Sequence, residues 1–270
     1  MKILLVFYSF DYGTSFLATQ NAKVFSLNMM DSMPIRQASE HDWVRESRFG
    51  RWFQTTNIWF HYVLNEAIVD FKQLLNGRLS GTPHILDAGC GQGLALELLE
   101  EHFQPKAIIA VDIDKEQSSL APEAAKRCQC TVTFENGTVC NLNLPDNAID
   151  LIFCHQLLHH LSDQSRALEE FYRILVPGGF ILIGESCRAF LNSFSVRLLF
   201  RHPMQVHKTA DEYIELVKSI GFKIHDNDIK ASTPWWSRKD FGLAEKIGLP
   251  QKRQEATEVL IIARKPYEKY

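Results

Sequence analysis

No stretch of this 270-residue chain reaches the roughly 20 consecutive apolar residues that a membrane-spanning helix needs. The opening MKILLVFYSF is short and no small-residue cleavage site follows it, so the sequence reads as cytoplasmic rather than exported. Six cysteines are present, Cys90, Cys128, Cys130, Cys140, Cys154 and Cys187, yet none forms a CxxC pair with partner histidines. Neither a zinc site nor a disulfide framework is indicated; the cysteines read as reduced thiols and no metal is assigned. Charge of one sign is also lacking. With 29 basic against 32 acidic residues and a net charge of −3, broad electrostatic capture of nucleic acid is disfavoured. There is no internal repeat and no low-complexity tract. What remains is an ordinary globular composition, 46% hydrophobic and 23% charged, long enough for one large domain or a domain with an attached cap.

Residues 11 to 41 are rich in Ser, Thr, Asn, Gln and Met without periodicity. Met29, Met30 and Met33 leave the native start open, and residues 1–33 read as a loosely attached extension. From Trp52 to Leu75 apolar residues recur at helical spacing, which predicts one amphipathic helix closed by the turn residues GRLSGTP at 77 to 83. The expected division is therefore 1–80, an N-terminal extension and helical cap, and 81–270, the main domain. Short apolar runs then alternate with helical patterns, the sequence form of an α/β fold with a parallel sheet and crossover helices. Strands are expected at HILD (84–87), AIIAVD (107–112), CTVTFE (130–135), IDLIFC (149–154) and GFILIGE (179–185). The clearest helix runs from Ala167 to Val176, with ProGlyGly at 177–179 ending it. A helix at ADEYIELVKSIG and two runs, FKIHDNDIKA and VLIIARK, complete the chain.

ILDAGCGQG, residues 85–93, places three glycines at a strand-to-helix turn, where bare backbone folds sharply and lets a ligand approach. A dinucleotide site would want Gly or Ala at position 94, which is Leu94. Instead Asp87 stands at the strand end, where a carboxylate repels phosphate and suits a cationic amine. About twenty residues on, AVDID supplies Asp112, placed to accept both hydroxyls of a ribose, with Ile113 as an apolar surface for adenine.

Taken with IDLIFCHQLLHHL and ILVPGGFILIGE, these motifs resemble class I S-adenosylmethionine-dependent methyltransferases over roughly residues 80–265. The resemblance implies a doubly wound, mostly parallel, seven-stranded Rossmann-like sheet ending in an antiparallel hairpin. It implies S-adenosylmethionine as cofactor, with Asp87, Gly89, Cys90, Gly91 and Gly93 around its methionine part and Asp112 and Ile113 at its nucleoside. Such enzymes often carry an acid after the third strand to bond the adenine amino group; this chain has Thr138 and Val139 there, and Thr138 or backbone atoms would have to substitute.

Cys154 and His155 fall at the carboxyl end of the fourth strand, where open α/β sheets bind ligands. His155 reads as a general base or substrate contact, or else as a supporting residue; His159, four positions on, has the same two readings, and His160 reads as helix packing or a cap. Glu185 either touches substrate or is a solvated strand-end acid. The stretch 186–210 has no acid but carries Arg188, Arg197, Arg201 and Lys208 beside Phe190, Phe194, Leu198 and Phe200. It predicts a lid with an apolar pocket, or simply an amphipathic helix packed on the body, and leaves room for peripheral contact with a membrane surface. Trp52, Trp59, Trp235 and Trp236 read either as pocket walls or as core. The Asn-Pro-Pro-aromatic motif of base methylation is missing. The expected activity is methylation of a small or medium, partly apolar molecule on oxygen, carbon or nitrogen; modification of RNA or protein, or a non-catalytic cofactor-binding module, are the alternatives.

Overall fold

The structure, a computed structural model, describes residues 43–238 and 255–267. The extension expected over residues 1–33 lies outside the described residues. Among them no helix is long and apolar enough to cross a membrane.

The chain enters at α1 (Arg48–Gln54) and continues through a helical stretch made of α2 (Asn57–Trp59), a π turn (Phe60–Asn65) and α3 (Glu66–Leu75). The expected single helix from Trp52 is thus broken at Thr55–Thr56, because these hydroxyls bond backbone carbonyls of the preceding turn, Thr55 Oγ1 to Trp52 O and Thr56 Oγ1 to Phe53 O, each at 2.7 Å. Thr56 then caps the next helix by accepting the Trp59 N–H. Asn76, left-handed at φ 45°, closes α3.

From there strands and helices alternate: β1 (His84–Ala88), α4 (Leu96–Phe103), β2 (Ala107–Asp112), α5 (Lys115–Ser118), α6 (Ala121–Ala125), β3 (Thr131–Asn136), β4 (Ile149–His155), α7 (Gln164–Ile174) and β5 (Leu175–Ser186). After these come α8 (Arg188–Leu191), α9 (Phe194–Leu199), α10 (Ala210–Ser219), β6 (Ile229–Ser232) and β7 (Glu258–Arg264). The α/β expectation holds: seven strands form one sheet in the order β3-β2-β1-β4-β5-β7-β6, parallel except that β7 runs antiparallel to both β5 and β6. Two details differ from the expected boundaries. The helix before β5 stops at Ile174, since Leu175 already pairs with Ile149 and draws Pro177 to Gly179 into the strand. The run FKIHDNDIKA is a strand only over its last three residues, from which β6 continues to Ser232, a 3₁₀ turn at Asp226–Asp228 taking up the middle.

The inner strands are buried on both faces, which is why they read as continuous apolar runs. On one face Ile68 and Phe71 of α3 pack with Leu99 and Phe103 of α4 over Leu151 and Phe153; on the other, Leu168 and Phe171 of α7 pack with Tyr213 and Val217 of α10 over Ile152 and Ile183. Chain order reverses between β1 and β4, so their carboxyl ends open a crevice at the sheet's switch point.

Candidate active site

The turn after β1 bends over the end of β2 because the Gly89 and Cys90 amides both donate to Val111 O, at 2.8 and 3.1 Å. Gly91 N–H donates to Asp112 Oδ2 at 2.8 Å, and Asp114 N–H to Asp112 Oδ1 at 2.7 Å. A cleft of about 860 Å³, counted to its open mouth, lies against this turn. Asp87, Gly89, Cys90, Gly91, Asp112, Ile113 and His155 all line it.

Three expected cofactor contacts are not among the cleft's walls. Gly93 sits behind them, where a Cβ would stand 3.1 Å from Ala121 Cα and from Ala124 Cβ, so it serves the packing of α6. Val139 is buried in the core, and the Thr138 hydroxyl accepts the Cys140 N–H. Residues the sequence did not single out complete the cleft, among them Trp43, Gln54, Gln117 and Gln156. Gln156 is held at φ 53°, a left-handed geometry that side chains seldom adopt, and no sequence signal marks it.

Asp87 is the cleft's electrostatic centre. Its carboxylate is 2% exposed, Oδ2 has no hydrogen-bond partner, and burial together with the Asp112 charge pushes its pKa up to about 7. Burial also raises the Asp112 carboxyl, against the two backbone N–H bonds that favour its charged form. A buried carboxylate without a partner is a place for a cation. Opposite, His155 stacks on Phe153 (ring centroids 5.6 Å) and meets Trp59 edge-on at 6.0 Å. Its Nε2 has no partner, and burial pushes its pKa down to about 3.

A second cavity, about 970 Å³ by the same measure, adjoins the first and shares Glu46, Gln54, Trp59, Gln156 and His160 with it. Its walls are aromatic and aliphatic, with Phe49 and Phe53 of α1 facing Phe190, Leu199 and Phe200 of the segment after β5. The 186–210 segment therefore contributes to a pocket, but as two short helices and a turn rather than one amphipathic helix, and Phe194 and Leu198 face outward at 83% and 70% exposure. Of its arginines, Arg188 pairs with Glu212, while Arg197 and Arg201 border an adjoining hollow that shares Leu191, Leu199, Phe200 and His202 with the apolar cavity. Trp59 and Trp236 line the apolar cavity, whereas Trp52 is 59% exposed and Trp235 packs on Tyr62.

His159 opens onto this second cavity. Its Nδ1 meets Glu185 Oε2 at 2.6 Å, and Glu185 Oε1 accepts the Leu157 and Leu158 amides at 2.9 and 2.7 Å. Glu185 is thus fully buried rather than a solvated strand end. Burial drives its pKa up to about 8 and that of His159 well down, so the interior disfavours the charged form of each. Next to it, His160 Nδ1 bonds Val44 O at 3.1 Å.

Residues 86–183 match the family described as methyltransferase domain. Phosphoethanolamine N-methyltransferase 1 of Arabidopsis thaliana is 28% identical over 162 residues, 60% of this chain and 29% of that protein. A protein of Mycolicibacterium smegmatis named "Probable S-adenosylmethionine-dependent methyltransferase" is 29% identical over 178 residues, 63% of this chain and 61% of that one. The chain thus spans less than two thirds of the length of either curated relative. The crystal structure of an S-adenosylmethionine-dependent methyltransferase from Mesorhizobium loti superposes with a TM-score of 0.54 at 18% identity, covering 73% of this chain and 96% of that one, a likeness of fold.

Proposed function

Because residues 86–183 are a class I S-adenosylmethionine-dependent methyltransferase domain, we propose that this chain methylates a small or medium, partly apolar molecule. The observation that carries this reading is the pair of cavities with a common wall, one polar and acidic at the switch point, the other lined by aromatic rings. S-adenosylmethionine supplies an activated methyl group on a sulfonium centre. The residues fit it: the Asp87 carboxylate is available to the cationic amine, the turn at Gly89 to Gly91 to the methionine part, Asp112 to the ribose hydroxyls and Ile113 to the adenine.

The work left to the protein is alignment. Holding two reactants in line supplies about 7 to 11 kcal/mol of a displacement barrier, and the two cavities meeting at Trp59 and Gln156 provide that constraint. Helices α1 to α3 and the 186–210 segment act as cap and lid, their aromatic side chains keeping water from the acceptor. A histidine with a pKa near 3 is too weak a base for neutral pH, so His155 is read as a hydrogen-bond partner within the cleft. His159, oriented by Glu185, is one of three histidines, with His160 and His202, that line the acceptor cavity.

The experiment is incubation of the protein with methyl-labelled S-adenosylmethionine and a cell extract, with products separated by size and polarity. Label in a low-mass, moderately apolar product is expected. Label confined to RNA or protein, or no transfer by protein that binds the cofactor, would overturn the proposal.

A further inference from the structure

Three histidines meet where the two cavities join. One ring nitrogen from each of His159, His160 and His202 lies within 4.8 Å of the other two, and the ring centroids are 4.4, 4.9 and 4.9 Å apart. The far nitrogens are already committed, His159 Nδ1 to Glu185 and His160 Nδ1 to the Val44 carbonyl, which leaves Nε2 of each for the group. Glu46 faces the same point: its Oε2 is 3.4 Å from His202 Nε2 and 3.8 Å from His160 Nε2. Glu46 Oε1 is held from behind by the Arg201 amide at 3.0 Å and by the Ser47 amide.

The segment that carries Glu46 is itself pinned. Val44 N–H donates to His160 O at 2.9 Å, Trp43 bridges Leu161, and Arg45 pairs with Asp114 at 2.8 Å. Imidazoles backed by a carboxylate and by a backbone carbonyl, with a further carboxylate oriented by amides, form the arrangement that fixes tautomer and direction in metal centres.

We propose that His159, His160, His202 and Glu46 bind a divalent transition-metal ion at the boundary between the cofactor cleft and the apolar cavity. Imidazole and carboxylate ligands without thiolate suit zinc, iron(II) or nickel. Zinc–nitrogen bonds of 2.0–2.1 Å in a tetrahedral site put ligand nitrogens about 3.3 Å apart, so the ring nitrogens, within 4.8 Å of one another, need close by at most about 1.5 Å. His202 and Glu46 also border the apolar cavity, so an acceptor hydroxyl, thiol or amine entering there would add to the four protein ligands as a fifth and give up its proton to solvent. That role rests on the methyl-transfer reading; the binding of the ion does not.

The test is equilibrium dialysis of chelator-treated, full-length protein against Zn²⁺, with bound metal counted by atomic emission and Co²⁺ absorption as a second readout. One ion per chain is expected, with affinity falling roughly tenfold or more in His202→Gln and in Glu46→Gln. His202 does not line the cofactor cleft, so S-adenosylhomocysteine affinity in His202→Gln should stay within about twofold, a comparison that shows the variant intact. Should His202→Gln fail to fold, Glu46→Gln answers alone. Folded wild-type protein that takes up no Zn²⁺, uptake unchanged by both substitutions, or a Co²⁺ spectrum with thiolate charge-transfer bands would overturn the site. Metal uptake without methyl transfer to any extract component would leave the site standing and remove the proposed activity.

Discussion

Asp112 Oδ2 accepts the Gly91 amide at 2.8 Å, so the acid at the end of β2 also holds the glycine turn after β1 in place. On the proposed reading, one side chain thereby serves both the shape of the cleft and its ligand. Hydrogen bonds to a charged group contribute about 1.5 to 3 kcal/mol each, so Asp112→Ala should weaken S-adenosylhomocysteine binding by at least about tenfold. Isothermal titration checks this, and an unchanged Kd removes Asp112 from the site.

Gly91 and Gly93 should answer differently to alanine. Gly91 has a positive φ of 50° but open space where a Cβ would go, on the wall of the cleft. Gly93 has φ 77° and a backbone atom of Ala121 at 3.1 Å. Gly91→Ala is expected to cost about 1 kcal/mol of stability yet lose most cofactor affinity; Gly93→Ala should lower the melting temperature by more. Equal thermal shifts with equal affinities would contradict this.

Asp87 gives the apoprotein a pH dependence. Its pKa of about 7 lies above the unfolded value, so the folded chain prefers the protonated form. The cost is absent below about pH 4, grows as pH rises to 7 and levels above that, with an upper bound of about 4 kcal/mol. Asp87→Asn should therefore raise the melting temperature of the apoprotein at pH 8 and leave it nearly unchanged at pH 4. In the native protein, binding of a cationic amine should weaken about tenfold from pH 8 to pH 6 as the carboxylate protonates. A flat binding profile across that range would place the cation elsewhere.

Phe53 and Phe200 pack edge to face at 5.9 Å in the apolar cavity, and neither lines the cofactor cleft. Truncating either to alanine removes about 3 kcal/mol or more of apolar contact. The expected outcome is at least a tenfold rise in KM for the label-accepting fraction of extract, with S-adenosylhomocysteine affinity retained. Loss of cofactor affinity instead would mean the two cavities are not separate subsites.

The sheet, the turn at Gly89 to Gly91 and the acid at Asp112 were legible in the sequence because each follows from local constraints: buried strands read as apolar runs, and a strand-to-helix turn needs glycine. The break at Thr55–Thr56 was not, since it arises from hydroxyl bonds that compete with the helix ladder. Histidines at 155 and 159 were visible as candidates, but not that the first faces one cavity and the second another. The meeting of Glu46, His160 and His202 comes from three separated segments and carries no spacing that a one-dimensional reading could detect.

The most direct measurement is titration of the intact protein with S-adenosylmethionine and, in parallel, with NAD⁺. Saturable binding of the sulfonium nucleoside at one site per chain, competed by S-adenosylhomocysteine and weakened at least about tenfold in Asp112→Ala, is the predicted result. Folded protein that shows no heat with S-adenosylmethionine, or that prefers the dinucleotide, would contradict the assignment of the acidic cleft.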